Sequence, residues 1–151
     1  MVLKELCALR GVSGNENEVR DYIVERAKKL ADEVRIDRMG NVLALKKPRK
    51  PGAPTVMLDA HMDEVGMIVV GINDNGLISY ECCGGIDARV VISKHVLIGD
   101  NKVPGVIGAK AIHLQSAEER SRVLGHDQLY IDIGAADKAA AERLVKPGDY
   151  V

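Results

Sequence analysis

Apolar positions in the first third of the chain recur with a helical period and then with a strand period. Val2, Leu3, Leu6 and Leu9 form a short helical stripe that Gly11 ends. Ser13 and Glu16 have the S-x-x-E spacing of a capping box, which places a second helix from Glu16 to about Leu30. Along it Val19, Tyr22, Ile23, Ala27 and Leu30 recur at three- and four-residue steps and so share one face. Strands are then predicted at 34–36, 41–46 and 55–62, with the basic, proline-rich stretch 46–54 (KKPRKPGAP) as the loop before the last. This is the opening of an α/β domain.

Beyond about Glu64 the pattern shortens to β-type runs at 66–72, 77–82, 88–92, 95–98 and 103–109. Asn-Asp-Asn-Gly at 73–76, Gly84-Gly85 and Gly99-Asp100-Asn101 separate them as turns. Strands so closely spaced predict a small barrel or sandwich. Two short helical pieces follow, one opening at Ser116 with Glu119 as its capping partner, the other at Asp137 and ending before Pro147. The final KPGDYV reads as a turn into a new strand that does not arrive, so the sequence reads as cut short at its end. The division predicted is an α/β part over 1–66 and a β-rich part over 67–151.

Composition narrows the function. Lys and Arg number 21 against 22 Asp and Glu, so no basic surplus faces nucleic-acid phosphates or an anionic membrane. With four Tyr and no Trp or Phe, the aromatic platforms that stack single-stranded bases are missing too. A composition of 46% hydrophobic and 28% charged residues is that of a folded chain. The longest apolar stretch, 67–72, is far short of the roughly 20 residues that span a bilayer. Lys4, Glu5 and Arg10 interrupt the N-terminal run a secretion signal would need, so a cytoplasmic protein is expected. Cys7, Cys82 and Cys83 fit neither a disulfide framework nor CxxC zinc spacing, and are expected to be buried or idle thiols.

Chemistry concentrates in one place. If 55–62 is a strand, Val56, Leu58, Ala60 and Met62 face one way and Asp59, His61 and Asp63 the other. An imidazole flanked by carboxylates at a strand's C-terminal end is a plausible start to a transition-metal or catalytic site, with the flanking acid fixing the ring's tautomer. A salt-bridged or hydrogen-bonded histidine near a strand end is the competing reading. His95, His113 and His126 share no spacing and are expected to be structural. GVSG (11–14) and GVIG (105–108) match no nucleotide-binding loop, and there is no G-x-S-x-G elbow.

The ordered set GVSGNE (11–16), DRMGNVLA (37–44), AHMDEVG (60–66), Gly84-Gly85, VPGVIGAKAIHL (103–114), LYIDIGA (129–135) and KPGD (146–149) resembles the N-terminal half of the tetrahedral, dinuclear-metal aminopeptidases. That family is also labelled glutamyl or deblocking aminopeptidase and sometimes endoglucanase. The resemblance implies an α/β catalytic domain interrupted after its AHMDEVG strand by an inserted PDZ-like β-barrel that helps subunits associate. It implies that His61 is a ligand of one of two zinc or cobalt ions and Asp63 the catalytic acid that orients and polarises it, with no catalytic role for Glu64. It implies peptide substrates with a free N-terminus and a homo-oligomer, a tetrahedral dodecamer in the family.

The family's Asp-Asp-Arg segment, paired glutamates and final histidine have no counterpart in residues 1–151, so the chain alone is expected to be inactive. Ile86 stands where the family often has an aromatic, and Ala111-Ile112 where prolines are common. A non-enzymatic assembly module, or the product of a shortened gene, is the alternative. A glycan hydrolase would need facing carboxylates that the chain does not offer.

Overall fold

A computed structural model describes residues 1–151, which divide into two compact units, Met1–Glu64 and Val65–Val151. The fold is mixed α/β.

The first unit opens with α1 (Val2–Leu6) and α2 (Asn17–Ala27). Tyr22 Oη donates to Glu5 at 2.5 Å, and Arg26 donates to the same Glu5 carboxylate at 2.8 Å, which ties the two helices together. The capping box expected from Ser13 and Glu16 does not form. Glu16 is itself the N-cap, without a side-chain cap bond, and its carboxylate accepts from Gly14 N–H at 2.6 Å. Ser13 has spent its hydroxyl on a more distant partner, Asp63. Val19 is the buried residue of the predicted face, while Leu30 lies beyond the helix and is exposed.

β1 (Glu33–Ile36) and β2 (Val42–Leu45) form an antiparallel hairpin pairing Glu33 with Leu45 and Ile36 with Val42. Its turn is built by Asp37, whose carboxylate accepts from Met39 N–H and Asn41 N–H, both at 2.9 Å. Gly40, at φ +91°, supplies the left-handed residue that such a turn requires.

The strand expected over 55–62 is absent. These residues carry no regular secondary structure, no neighbouring strand pairs with them, and Val56, Met57 and Leu58 are exposed. Alternating side chains mark a strand only where a partner can take up the backbone N–H and C=O groups.

The second unit is a five-stranded antiparallel sheet of β3 (Gly66–Ile72), β4 (Ile78–Cys83), β5 (His95–Ile98), β6 (Val103–Ala109) and β7 (Leu129–Asp132), in the order β3-β4-β7-β6-β5. The sequence reading assigns no strand to 129–132, yet β7 is the central one. Asn73 Oδ1 shapes the β3–β4 turn by accepting from Asn75 and Leu77 N–H, each at 3.0 Å. Met67, Val69, Ile78, Tyr80, Ile98, Ile107, Leu129 and Ile131 point inward along their strands and form the core, joined by Val91 and Val145.

Residues 88–91 form a helix, α3 (Ala88–Val91), where a strand was expected. Asp87 caps it by accepting from Arg89 N–H at 2.9 Å, and four residues are too few to separate the two periods by pattern. α4 (Ala117–Arg120) carries the predicted capping box of Ser116 and Glu119, and α5 (Lys138–Glu142) starts at the predicted cap Asp137. The closing residues pair after all. Met67 and Val151 exchange backbone hydrogen bonds of 3.0 and 2.8 Å, Val69 N–H donates to Asp149 O at 2.9 Å, and Gly99 N–H, just past β5, donates to Tyr150 O at 2.8 Å. The final segment therefore joins the two outer strands of a curled sheet.

Candidate metal centre

The site is assembled from two stretches fifty residues apart, Gly11–Ser13 and His61–Glu64. Backbone bonds join them. Glu64 N–H donates to Gly11 O at 2.7 Å, Ser13 N–H donates to Glu64 O at 3.3 Å, and Val12 and Glu64 form an isolated parallel bridge. The Glu64 carboxylate accepts from Gly11 N–H at 3.3 Å, so Glu64 acts as an anchor for the loop. Gly11 is required by close approach, because a Cβ there would lie 2.8 Å from Val19 Cγ2 and 3.2 Å from Met62 O. Val12 of the loop and Val19 of α2 are both buried, and Val19 packs against Gly11.

On this frame His61 Nδ1 lies 2.8 Å from Asp63 O and 3.1 Å from Asp63 Oδ1. Carbonyl and carboxylate oxygens only accept, so Nδ1 carries a proton and, in the neutral ring, Nε2 keeps its lone pair. The His61 side chain is 83% exposed, which leaves Nε2 open to an incoming ion. Asp63 in turn accepts the Ser13 hydroxyl at Oδ2, 2.5 Å away. The Ser13 hydroxyl, and after it the His61 ring, hold the Asp63 carboxyl below the usual carboxylate range.

An imidazole whose far nitrogen is fixed by a carboxylate is the donor arrangement that zinc and cobalt favour. His61 thus fits a metal ligand. The remaining donors are not at hand, since no group of three His, Cys, Asp or Glu side chains comes together anywhere in the chain. Asp59 does not join His61 and Asp63, because the strand alternation that aligned the three is not realised.

The other histidines lie elsewhere. His126 has both nitrogens engaged: Nε2–H donates to Ile86 O at 2.9 Å, and Nδ1 accepts from Tyr80 Oη–H at 3.1 Å. His95 is exposed on β5 and His113 exposed in a 3-10 turn at Ile112–Leu114. All three cysteines are free, Cys7 exposed rather than buried, and Cys82 and Cys83 half-buried.

Sequence reasoning singles out His61 and Asp63 as candidates but not Ser13, whose spacing to Glu16 points to a helix cap. Only the SerGly pair following a helix-ending glycine, in a loop that the chain could bring back to the HMDE stretch, carried any sign of it.

The family model described as M42 glutamyl aminopeptidase matches residues 40–151. The chain is 33% identical over 147 residues to the lysyl aminopeptidase of Pyrococcus furiosus, a match covering 95% of this chain and 42% of that protein. Among solved structures it resembles the TET aminopeptidase of the marine sediment archaeon Thaumarchaeota archaeon SCGC AB-539-E09, with TM-score 0.90 and 32% identity over 98% of this chain and 42% of that one. It also resembles the TET1 peptidase of Pyrococcus horikoshii, which assembles into a tetrahedron or a large octahedral shell, with TM-score 0.83, 37% identity, and coverage of 98% and 44%. The chain therefore spans less than half the length of the relatives it matches.

Proposed function

The chain belongs to the M42 glutamyl aminopeptidase family, and from that premise we propose that residues 1–64 contribute one ligand, His61, to a dinuclear metal site that removes N-terminal residues from peptides. The observation that carries this reading is the His61 ring, with Nδ1–H held by Asp63 and Nε2 open. Asp63 orients the ring, and its negative charge raises the basicity of Nε2. Two zinc or cobalt ions, when bound, supply Lewis acidity toward the scissile carbonyl and toward water. The peptide's free amino terminus is the substrate feature that such a site selects.

In the same reading the sheet of residues 65–151 is a PDZ-like barrel inserted after the HMDEVG stretch, and it serves assembly into a homo-oligomer. The curled sheet, bridged at its outer strands by residues 148–151, supports this, as does the likeness to shell-forming TET peptidases.

A second reading is a non-enzymatic assembly module, favoured by the lack of any three-donor cluster in residues 1–151. One experiment separates the roles. The protein is equilibrated with cobalt, and metal content is measured alongside hydrolysis of aminoacyl p-nitroanilides, for the natural sequence and for His61→Ala. Cobalt bound through His61, without turnover by residues 1–151 alone, is the expected result. Equal cobalt retention by His61→Ala overturns the ligand assignment.

A further inference from the structure

We propose that Ser13 is a positioning residue for His61, acting through the Asp63 carboxylate. The argument starts from what Ser13 does not do. Its spacing to Glu16 suits a helix cap, yet α2 begins without any side-chain cap bond, and the hydroxyl reaches instead across the fold to Asp63 Oδ2 at 2.5 Å. With Glu16 as the N-cap and Gly14 at φ +91°, Ser13 lies outside the first turn of α2 and its hydroxyl is available to Asp63. The contact is held from both ends. Ser13 N–H is bonded to Glu64 O, the residue directly after Asp63, and Val12 is bridged to the same Glu64.

A carboxylate is planar, so fixing Oδ2 fixes Oδ1 as well. Oδ1 is the oxygen 3.1 Å from His61 Nδ1. The Asp63 side chain is 41% exposed, and without the Ser13 hydroxyl water would compete for Oδ2 and let the group rotate about its Cβ–Cγ bond. The carbonyl of Asp63 also accepts from Nδ1, and its peptide is held where Glu64 N–H donates to Gly11 O, so the carboxylate is the second of two acceptors on Nδ1 and the one that the Ser13 hydroxyl fixes. The Ser13 contact therefore strengthens the hold that keeps the proton on Nδ1 and the lone pair on Nε2. The consequence for metal binding rests on the function proposed above, whereas the effect on the ring does not.

The test is nitrogen NMR of the His61 ring in ¹⁵N-histidine-labelled protein, at a fixed alkaline pH where the imidazole is neutral, followed by a zinc titration. In the natural sequence the Nδ1–H tautomer should dominate. Ser13→Ala should lower the ratio of Nδ1–H to Nε2–H several-fold and weaken zinc binding, by less than the ~10–100-fold typical of losing a ligand's direct partner. Ser13→Thr, which keeps the hydroxyl, should restore both. Backbone fingerprint spectra confirm the fold of each variant, and if Ser13→Ala does not fold, Ser13→Cys, a much weaker donor, takes its place. An unchanged tautomer ratio in the folded variant, or no recovery with threonine, overturns the proposal. A ratio that shifts while zinc leaves the Nε2 resonance untouched overturns the metal reading and leaves the positioning role standing.

Discussion

Tyr80 and His126 meet edge to face, with ring centroids 5.7 Å apart, and the Tyr80 hydroxyl donates to His126 Nδ1 at 3.1 Å. Because His126 Nε2–H donates to Ile86 O, this pair fastens the loop after β4 to the turn that precedes β7. Burial, and then the nearby Cys82, pushes the Tyr80 hydroxyl up to about 12. A phenol whose pKa is raised in the folded state stabilises the fold fully below its ordinary value near 10, and that contribution is lost as pH rises toward 12. Thermal midpoints should therefore decline between these pH values, and Tyr80→Phe should flatten that decline. At neutral pH Tyr80→Phe should cost about 1 kcal/mol for the lost bond, with a further penalty for the unpaired His126 nitrogen. A midpoint that is the same in both proteins across the range would refute this.

Ile131 is fully buried in β7, the strand flanked by β4 and β6. Ile131→Ala should destabilise the second unit by about 2–5 kcal/mol, because strands packed on both sides cannot collapse into the cavity. Urea unfolding read by the fluorescence of Tyr80 and Tyr130 measures it, and a loss below about 1 kcal/mol would show a less constrained core.

Glycines in this sheet differ in what they tolerate. A Cβ on Gly105 would sit 2.7 Å from Ile131 Cγ2 and 3.3 Å from Asp132 O, so Gly105→Ala should cost about 1–3 kcal/mol by overpacking. Gly71, at the β3 irregularity, has open space at the same point, and Gly71→Ala should leave stability within a few tenths. Denaturation midpoints of the two variants should rank in that order.

Metal content should rank the three residues of the DAHMD stretch. His61→Ala removes the proposed ligand and should lose the most. Asp63→Asn keeps the shape but weakens the hold on Nδ1, an effect of ~10–100-fold in affinity. Asp59→Asn should change little, since Asp59 has no contact with the ring. Elemental analysis after dialysis decides it, and a larger loss for Asp59→Asn than for Asp63→Asn would reverse the assignment.

Val56, Met57 and Leu58 are 76%, 83% and 93% exposed on a stretch that pairs with no strand, an apolar surface open to another chain. The protein should self-associate at submillimolar concentration, and Met57→Lys should reduce it. A monodisperse monomer by light scattering would count against this.

Local signals carried much of the architecture. The period of Val19, Tyr22 and Ile23, the turn residues Asp37 to Gly40 and Asn73 to Gly76, and the caps Ser116 and Asp137 are satisfied within a few residues, so the sequence alone determined them. The contact of His61 with Asp63 was legible for the same reason, the two being two residues apart with chemically complementary side chains. Long-range pairing was decided only by the tertiary structure. Residues 55–62 alternate like a strand but have no partner beside them, whereas Leu129–Asp132, with its short alternation, lies between two strands and becomes the middle of the sheet. Ser13 shows the same competition in one side chain: its neighbours offered it a helix cap, and a carboxylate fifty residues away took the hydroxyl, because a hydrogen bond depends on distance in space and not along the chain.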